Sequence, residues 1–335
     1  MVYKLRSLVV KPVLGCTSSC PTCDLRMELF KDRKLQQVIS INEWEKIIED
    51  AATLGCGDFT ISGGEPLMYD KLPRLIEIAT KNKMSSNLNS NGSLATLENS
   101  KSFALAGLTS ATVSVYSDNS EIHNRMRNEE GLFERAINAI KYLQSQGNIT
   151  IYLQTILTNY NIDNFDKFVS LAYQLKVNYI CVSYLEGDIS KNWLPSFVQI
   201  KNFKGSVASR VIDIINKNSS GMLAEEAASQ VNSMFSSDSK EALAFSHGEY
   251  GKTGKKYCSI PYNFALILSN GDVLPCNGVE YSHNPIMGNI KDNSLYELWT
   301  SQKWDIYREA RHDWCGKCPM TLHFKMPICH VNSRG

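Results

Sequence analysis

The sequence predicts an α/β protein built on a parallel sheet with crossover helices, and three observations carry that reading. Short β-like runs alternate with helical stretches six times between about residue 5 and residue 186, the pattern of strands joined by crossovers rather than by hairpins. The rhythm breaks across residues 190–256, where two helical stretches sit in polar, turn-rich sequence. From residue 257 two β runs flank an Asn-Gly turn, a strong hairpin signal. The implied units are 1–189, an inserted helical segment with a linker over 190–256, and a C-terminal unit over 257–335. Whether the sheet closes like a full barrel or stays partly open, its functional site belongs at the C-terminal ends of the strands.

Each element follows from its own pattern. "RSLVVKPVL" reads as a strand feeding a cysteine loop, and "INEWEKIIEDAATLG" as an amphipathic helix with Trp44, Ile47, Ile48 and Ala51 on one face and Gly55 as its stop. "DFTIS" is the second strand and "YDKLPRLIEIATKN" its helix; "SSNLN" and "SLATLENSKSFALAG" repeat the pair. "SATVSVYS", "ITIYLQTILT" and "NYICVSYLE" are the remaining strands, with helices at "GLFERAINAIKYLQSQG" and "NIDNFDKFVSLAYQLKV". In the inserted segment "ASRVIDIINKN" and "MLAEEAASQVNSMF" are helical, and this segment is the natural cover for a substrate. "YNFALILSNGDVLPC" is the hairpin, and "SLYELWTSQKWDIYREARH" a helix leading to "CGKC".

Composition narrows the function. No apolar run approaches the roughly 20 residues that cross a bilayer, and the N-terminal apolar patch is broken by Lys11 and Pro12, so neither a membrane span nor a signal peptide is expected. A formal net charge of +1 gives no polyelectrolyte case for nucleic acid or an anionic membrane. Ten cysteines without an export signal suggest a reducing, cytoplasmic setting, where clustered thiols are metal ligands or catalysts more often than bridges. They gather near the two ends of the chain, which suggests two sites.

The first is Cys16-x3-Cys20-x2-Cys23, directly after the first strand. Three thiolates on one loop can hold three corners of an iron–sulfur cube and leave one iron open, whereas a structural zinc would need a fourth Cys or His from elsewhere. "ISGGEP" follows the second strand, where Gly63 and Gly64 would let backbone approach a ligand and Glu65 could accept from an ammonium group.

Together these motifs resemble the radical S-adenosylmethionine (SAM) superfamily, over roughly residues 5–186. The resemblance implies a partial (β/α)6 TIM-like barrel in which Cys16, Cys20 and Cys23 ligate a 4Fe–4S cluster and SAM chelates the fourth iron. Gly63, Gly64 and Glu65 would hold the SAM amino group. "VSVYSDNSEIHNRMR" resembles the family's fourth-strand segment, making Ser114 and Arg127 candidates for ribose or carboxylate, although an Arg in a strand-to-helix loop is commonly solvated. Asn89 and Asn91 in "NSNG" are pocket candidates, with turn chemistry at Asn91-Gly92 the alternative. One departure is Thr22, where the family usually has an aromatic residue before the third cysteine. The implied chemistry is reductive SAM cleavage to a 5′-deoxyadenosyl radical that takes hydrogen from an unactivated carbon. A flavodoxin or ferredoxin would supply the electrons.

The second site comprises Cys258, Cys276, Cys315, Cys318 and Cys329. Two cysteine pairs by themselves read as structural zinc. Behind such a core, the segment from Cys258 to Cys318 resembles the SPASM/twitch extension, which carries auxiliary 4Fe–4S clusters. Five cysteines suit the one-cluster twitch type, with Cys258, Cys276, Cys315 and Cys318 as ligands and Cys329 either displacing one or standing free. A fully ligated cluster fits electron transfer, and so net oxidation of a peptide or a carbohydrate-like small molecule in natural-product or cofactor biosynthesis. Cys181 or Cys329 returning a hydrogen atom would instead give an epimerase, although Cys181 and Cys56 also suit a buried core. Only about 15 residues precede Cys16, which favours a small substrate or a peptide delivered by a separate protein. A non-enzymatic protein with two structural zincs is the remaining alternative.

Overall fold

The computed structural model describes residues 3–23, 39–185, 192–235, 238–249, 258–276, 285–309 and 324–328. Six strands follow in chain order: β1 (Ser7–Lys11), β2 (Asp58–Ile61), β3 (Ser85–Ser90), β4 (Ser110–Ser114), β5 (Thr150–Leu157) and β6 (Tyr179–Tyr184). Each pairs in parallel with the next. The crossovers carry α1 (Ile41–Thr53), α2 (Leu72–Lys81), α3 (Leu97–Ala106), α4 (Ser120–Arg127), α5 (Leu132–Gln144) and α6 (Phe165–Gln174). All six expected alternations are present, and α4 is an extra helix where the sequence suggested a loop.

Local chemistry explains the boundaries. Ser40 and Glu43 form a reciprocal capping box at the start of α1, satisfying amides that have no partner inside the helix. The helix buries Trp44, Ile47, Ile48 and Ala51 as its periodicity predicts. α3 stops at Gly107, whose φ of +98° suits glycine. β5 alternates half-buried and buried residues along its whole length, the two-residue period of a sheet with unlike faces.

The C-terminal unit is not separate from this sheet. β7 (Phe264–Leu268) lies parallel to β1, setting Leu266 beside Val9, and turns back through Gly271 into β8 (Asp272–Leu274) and then β9 (Gly288–Asn289). Val9, Phe264, Leu266, Leu268 and Leu274 form an apolar cluster of their own, so burial of the inner side of β1 requires the C-terminal segment. At the other edge β10 (Phe324–Pro327) pairs antiparallel with β6, an edge position that tolerates proline. The order is β10-β6-β5-β4-β3-β2-β1-β7-β8-β9. Its described ends do not meet, and the fold is a partial barrel.

The inserted segment contributes α7 (Phe197–Asn202), α8 (Ala208–Asn218), α9 (Met222–Ser233) and α10 (Ser239–Ser246), with a π-helical turn at Phe203–Val207. Phe203, Val211 and Ile215 join the main apolar cluster, so these helices are packed on the body. The helices α11 (Leu295–Trp299) and α12 (Gln302–Glu309) replace the single helix expected before the Cys-x2-Cys pair. Among the described residues no helix is long and apolar enough to cross a membrane.

Candidate functional site

The site lies where the C-terminal ends of β1 to β4 release their loops. After β1 the chain runs through Val13 and Gly15 to Cys16. Gly64 N–H donates to the Val13 carbonyl at 3.0 Å and Glu65 N–H to the Gly15 carbonyl at 2.8 Å, so the Gly-Gly turn is zipped to the stem of the cysteine loop. Only glycine fits: Gly63 has φ +146°, and a Cβ at Gly63 or Gly64 would collide with the Val13 or the Leu14 and Gly15 carbonyls.

Glu65 follows the Gly-Gly turn directly. It is fully buried, and its carboxylate accepts from Leu67 N–H at 3.1 Å, Ser90 Oγ at 2.6 Å and Asn91 N–H at 2.8 Å. Burial pushes its pKa up, against those hydrogen bonds and the field of Arg127. A carboxylate so enclosed braces the end of β3.

That brace sets Asn91, which sequence reasoning could not separate from ordinary turn chemistry. Its Oδ1 accepts from Ser93 N–H at 2.8 Å. Its Nδ2 faces the cysteine loop, 3.0 Å from Thr17 Oγ1, 3.3 Å from Ser18 Oγ and 3.7 Å from Cys16 Sγ. A second tie comes from Asn128, the left-handed cap of α4, which donates to Ser19 Oγ at 2.7 Å. Asn89 lies two residues earlier on the inner face of β3, where its Oδ1 accepts from Asn87.

Arg127 is buried, not solvated, because the His123, Asn124, Met126 and Arg127 side of α4 packs inward. Its Nη1 donates to the Tyr116 hydroxyl at 2.6 Å, and the guanidinium lies 4.7 Å from the centre of that ring. Among the described residues its buried Nε has no partner. Burial works against the charged form, but the Tyr116, Cys20, Cys16 and Cys23 groups overcome it and hold Arg127 firmly protonated. A buried cation facing three thiols with a donor to spare is a place for an anion. Tyr116 is fixed in turn: its N–H donates to His123 Nδ1 at 3.0 Å, and its carbonyl accepts from Asn161 Nδ2 at 2.7 Å.

The donor set suits an iron–sulfur cluster. Among the described residues no three Cys, His, Asp or Glu side chains close around one ion, and thiolates that each bind a different iron of a cube need not do so. Ser114 ends β4 on the inner face, half-buried and paired in register with Gln154. Cys181 is also on that face, half-buried and close enough to the Tyr152 phenol to help raise its pKa. Strand parity removes it from the core suggested by the apolar sequence around it. Cys56 is core, donating to the Asp58 carbonyl. Of the second cysteine group, Cys258 is exposed ahead of β7 and Cys276 half-buried just after β8. Cys315, Cys318 and Cys329 lie outside the described residues.

Comparisons with known proteins agree with this layout. Residues 10–172 match the radical SAM superfamily model, and residues 258–319 match that of the SPASM iron–sulfur cluster-binding domain. The chain is 25% identical over 313 residues to the PqqA peptide cyclase of Rhizobium meliloti (strain 1021), covering 90% of this chain and 76% of that protein. It is 24% identical over 307 residues to the AdoMet-dependent heme synthase of Oleidesulfovibrio alaskensis (strain ATCC BAA-1058 / DSM 17464 / G20), covering 91% and 76%. The fold superposes on the crystal structure of Streptococcus suis SuiB bound to S-adenosylmethionine with a TM-score of 0.67 at 17% identity, covering 98% of this chain and 72% of that one.

Proposed function

Because the chain belongs to the radical SAM superfamily and carries a SPASM domain behind that core, we propose that it cleaves S-adenosylmethionine reductively and oxidises an unactivated C–H position of a peptide. The observation that carries the reading is the buried Arg127, with its spare Nε, set against three cysteines on a loop clamped by Gly63 and Gly64. Cys16, Cys20 and Cys23 hold a 4Fe–4S cluster. When bound, that cluster supplies the electron that splits the SAM sulfonium and yields a 5′-deoxyadenosyl radical. The Gly63 and Gly64 carbonyls accept from the SAM ammonium group, Arg127 Nε pairs with its carboxylate, and Ser114 reaches the ribose. Glu65 keeps the Gly-Gly turn and β3 in register. Cys258 and Cys276, with Cys315 and Cys318, would hold an auxiliary 4Fe–4S cluster, which would supply an acceptor for the second electron of the oxidation. An external flavodoxin or ferredoxin reduces the first cluster.

A peptide is favoured over a carbohydrate-like substrate because the R. meliloti relative is named a peptide cyclase. A second reading, epimerisation, rests on the inner-face position of Cys181, from which a thiol could return hydrogen to a substrate radical. The test is anaerobic reconstitution with iron counting and a dithionite-driven SAM-cleavage assay. The native protein is expected to release 5′-deoxyadenosine and Cys16→Ala to release none; full cleavage by that variant overturns the assignment. With substrate, loss of two hydrogens marks oxidation, whereas an unchanged mass marks epimerisation.

A further inference from the structure

We propose that Asn91 is a positioning residue that sets the reduction potential of the SAM-binding cluster by donating a hydrogen bond to the sulfur of Cys16; this rests on the assignment of Cys16 as a cluster ligand. Three features of the geometry point to it. The Asn91 side chain is almost fully buried, and its amide orientation is fixed because Oδ1 already accepts from Ser93 N–H. Its main-chain N–H is committed to the buried Glu65 carboxylate, so the residue cannot swing away without breaking that brace. Its Nδ2 then lies 3.7 Å from Cys16 Sγ, a sulfur that also accepts from Ser18 N–H at 3.4 Å. Donors aimed at a ligand sulfur stabilise the more negative, reduced state of an iron–sulfur cluster and raise its potential.

The same amide also reaches Thr17 Oγ1 and Ser18 Oγ, so two hydrogens serve three acceptors. That sharing separates electronic tuning from a mere latch, because the two roles predict different signs. Removing the amide donor should lower the potential. Removing the competing hydroxyls should turn the amide more fully onto sulfur and raise it.

The experiment is an EPR-monitored redox titration of the reconstituted full chain, with the relevant cluster identified by its spectral change on adding SAM. Asn91→Ala is expected to shift that midpoint to more negative potential. Asn91→Asp, which keeps the acceptor for Ser93 but faces the sulfur with an anion, should shift it further. The double variant Thr17→Val/Ser18→Ala should shift it to more positive potential. An Asn91 variant that loads iron at the native potential overturns the proposal. If the Asn91 variants load no iron, the double variant decides: a positive shift supports the proposal, and an unmoved or negative midpoint overturns it. If Cys16→Ala retains the SAM-responsive signal, the cluster assignment itself is what fails.

Discussion

Leu153 and Gln154 are neighbours in β5, yet they face different worlds. Leu153 is fully buried in the main apolar cluster, shared with Ile61 and Val113 on neighbouring strands and with Trp44 and Ile140 on the helices. Gln154 points to the inner face, half-buried, beside Ser114 in register, with its Nε2 donating to Ser183 Oγ at 3.1 Å. The contrast recurs across the sheet. Asn87 accepts from Ser110 Oγ and Thr112 Oγ1 on the inner side, whereas Leu88 and Ala111 between them join the core. The outer face is built to exclude water and carries the fold. Across β3 to β5 the inner face is largely polar and half-buried, which suits a wall facing a ligand, whereas beside β1 and β7 it is closed by the smaller apolar cluster of Val9 and Leu266.

The largest expected effect tests the outer face. Leu153→Gln strands an amide in the apolar cluster and removes buried hydrocarbon, for a combined cost of about 3–5 kcal/mol. Urea unfolding should show a large drop in midpoint, and a change below about 1 kcal/mol would remove the distinction between the faces.

How much of this division was legible in the sequence depends on which residues are asked. The alternation in "TIYLQTIL" announces a two-faced strand, and the spacing of Trp44, Ile47, Ile48 and Ala51 gives the buried side of α1 before any coordinates. Cys16, Cys20, Cys23, Gly63 and Gly64 stand out because backbone geometry and thiol spacing are local properties. Cys181 does not: Ile180 and Val182 make its run look like core, and only the parallel register with Gln154 assigns it to the inner face. The burial of Glu65 and Arg127 does not show in the sequence because it comes from three loops meeting, which no short window contains. β10 escaped for the same reason, since four residues ending in proline form a strand only beside β6.

An intermediate effect probes the seam between the faces, where His123 is buried with its Nδ1 holding the Tyr116 N–H. Burial, reinforced by Arg127, pushes the His123 pKa down to about 3. Its unfolded value is about 6.5. Between the two the unfolded chain binds the extra proton, so this contribution is intact above about pH 6.5 and is lost as the pH falls toward 3. At about 1.4 kcal/mol per pH unit, going from pH 6.5 to pH 5 should cost about 2 kcal/mol. His123→Asn keeps an acceptor for Tyr116 without the titration. Urea unfolding of both proteins at pH 7 and pH 5 should show the native chain losing about 2 kcal/mol more than the variant, and parallel losses would contradict the buried neutral imidazole.

The smallest stability effect belongs to Gln154, and there the two faces separate most cleanly. Gln154→Leu removes one half-buried hydrogen bond to Ser183 and adds no clash with the outer core, so its unfolding midpoint should stay within about 0.5 kcal/mol of native. Among the described residues the Gln154 side chain hydrogen-bonds through Nε2 to Ser183, which leaves its Oε1 able to accept from a ligand on the inner face. Losing it should leave 5′-deoxyadenosine release intact while the yield of modified substrate per SAM cleaved falls about tenfold, the effect of one lost orienting hydrogen bond of about 1.4 kcal/mol. A native coupling ratio would mean that this wall does not touch the substrate. Loss of both stability and coupling would mean that Gln154 is held as tightly as Leu153, and that the inner face is a second core.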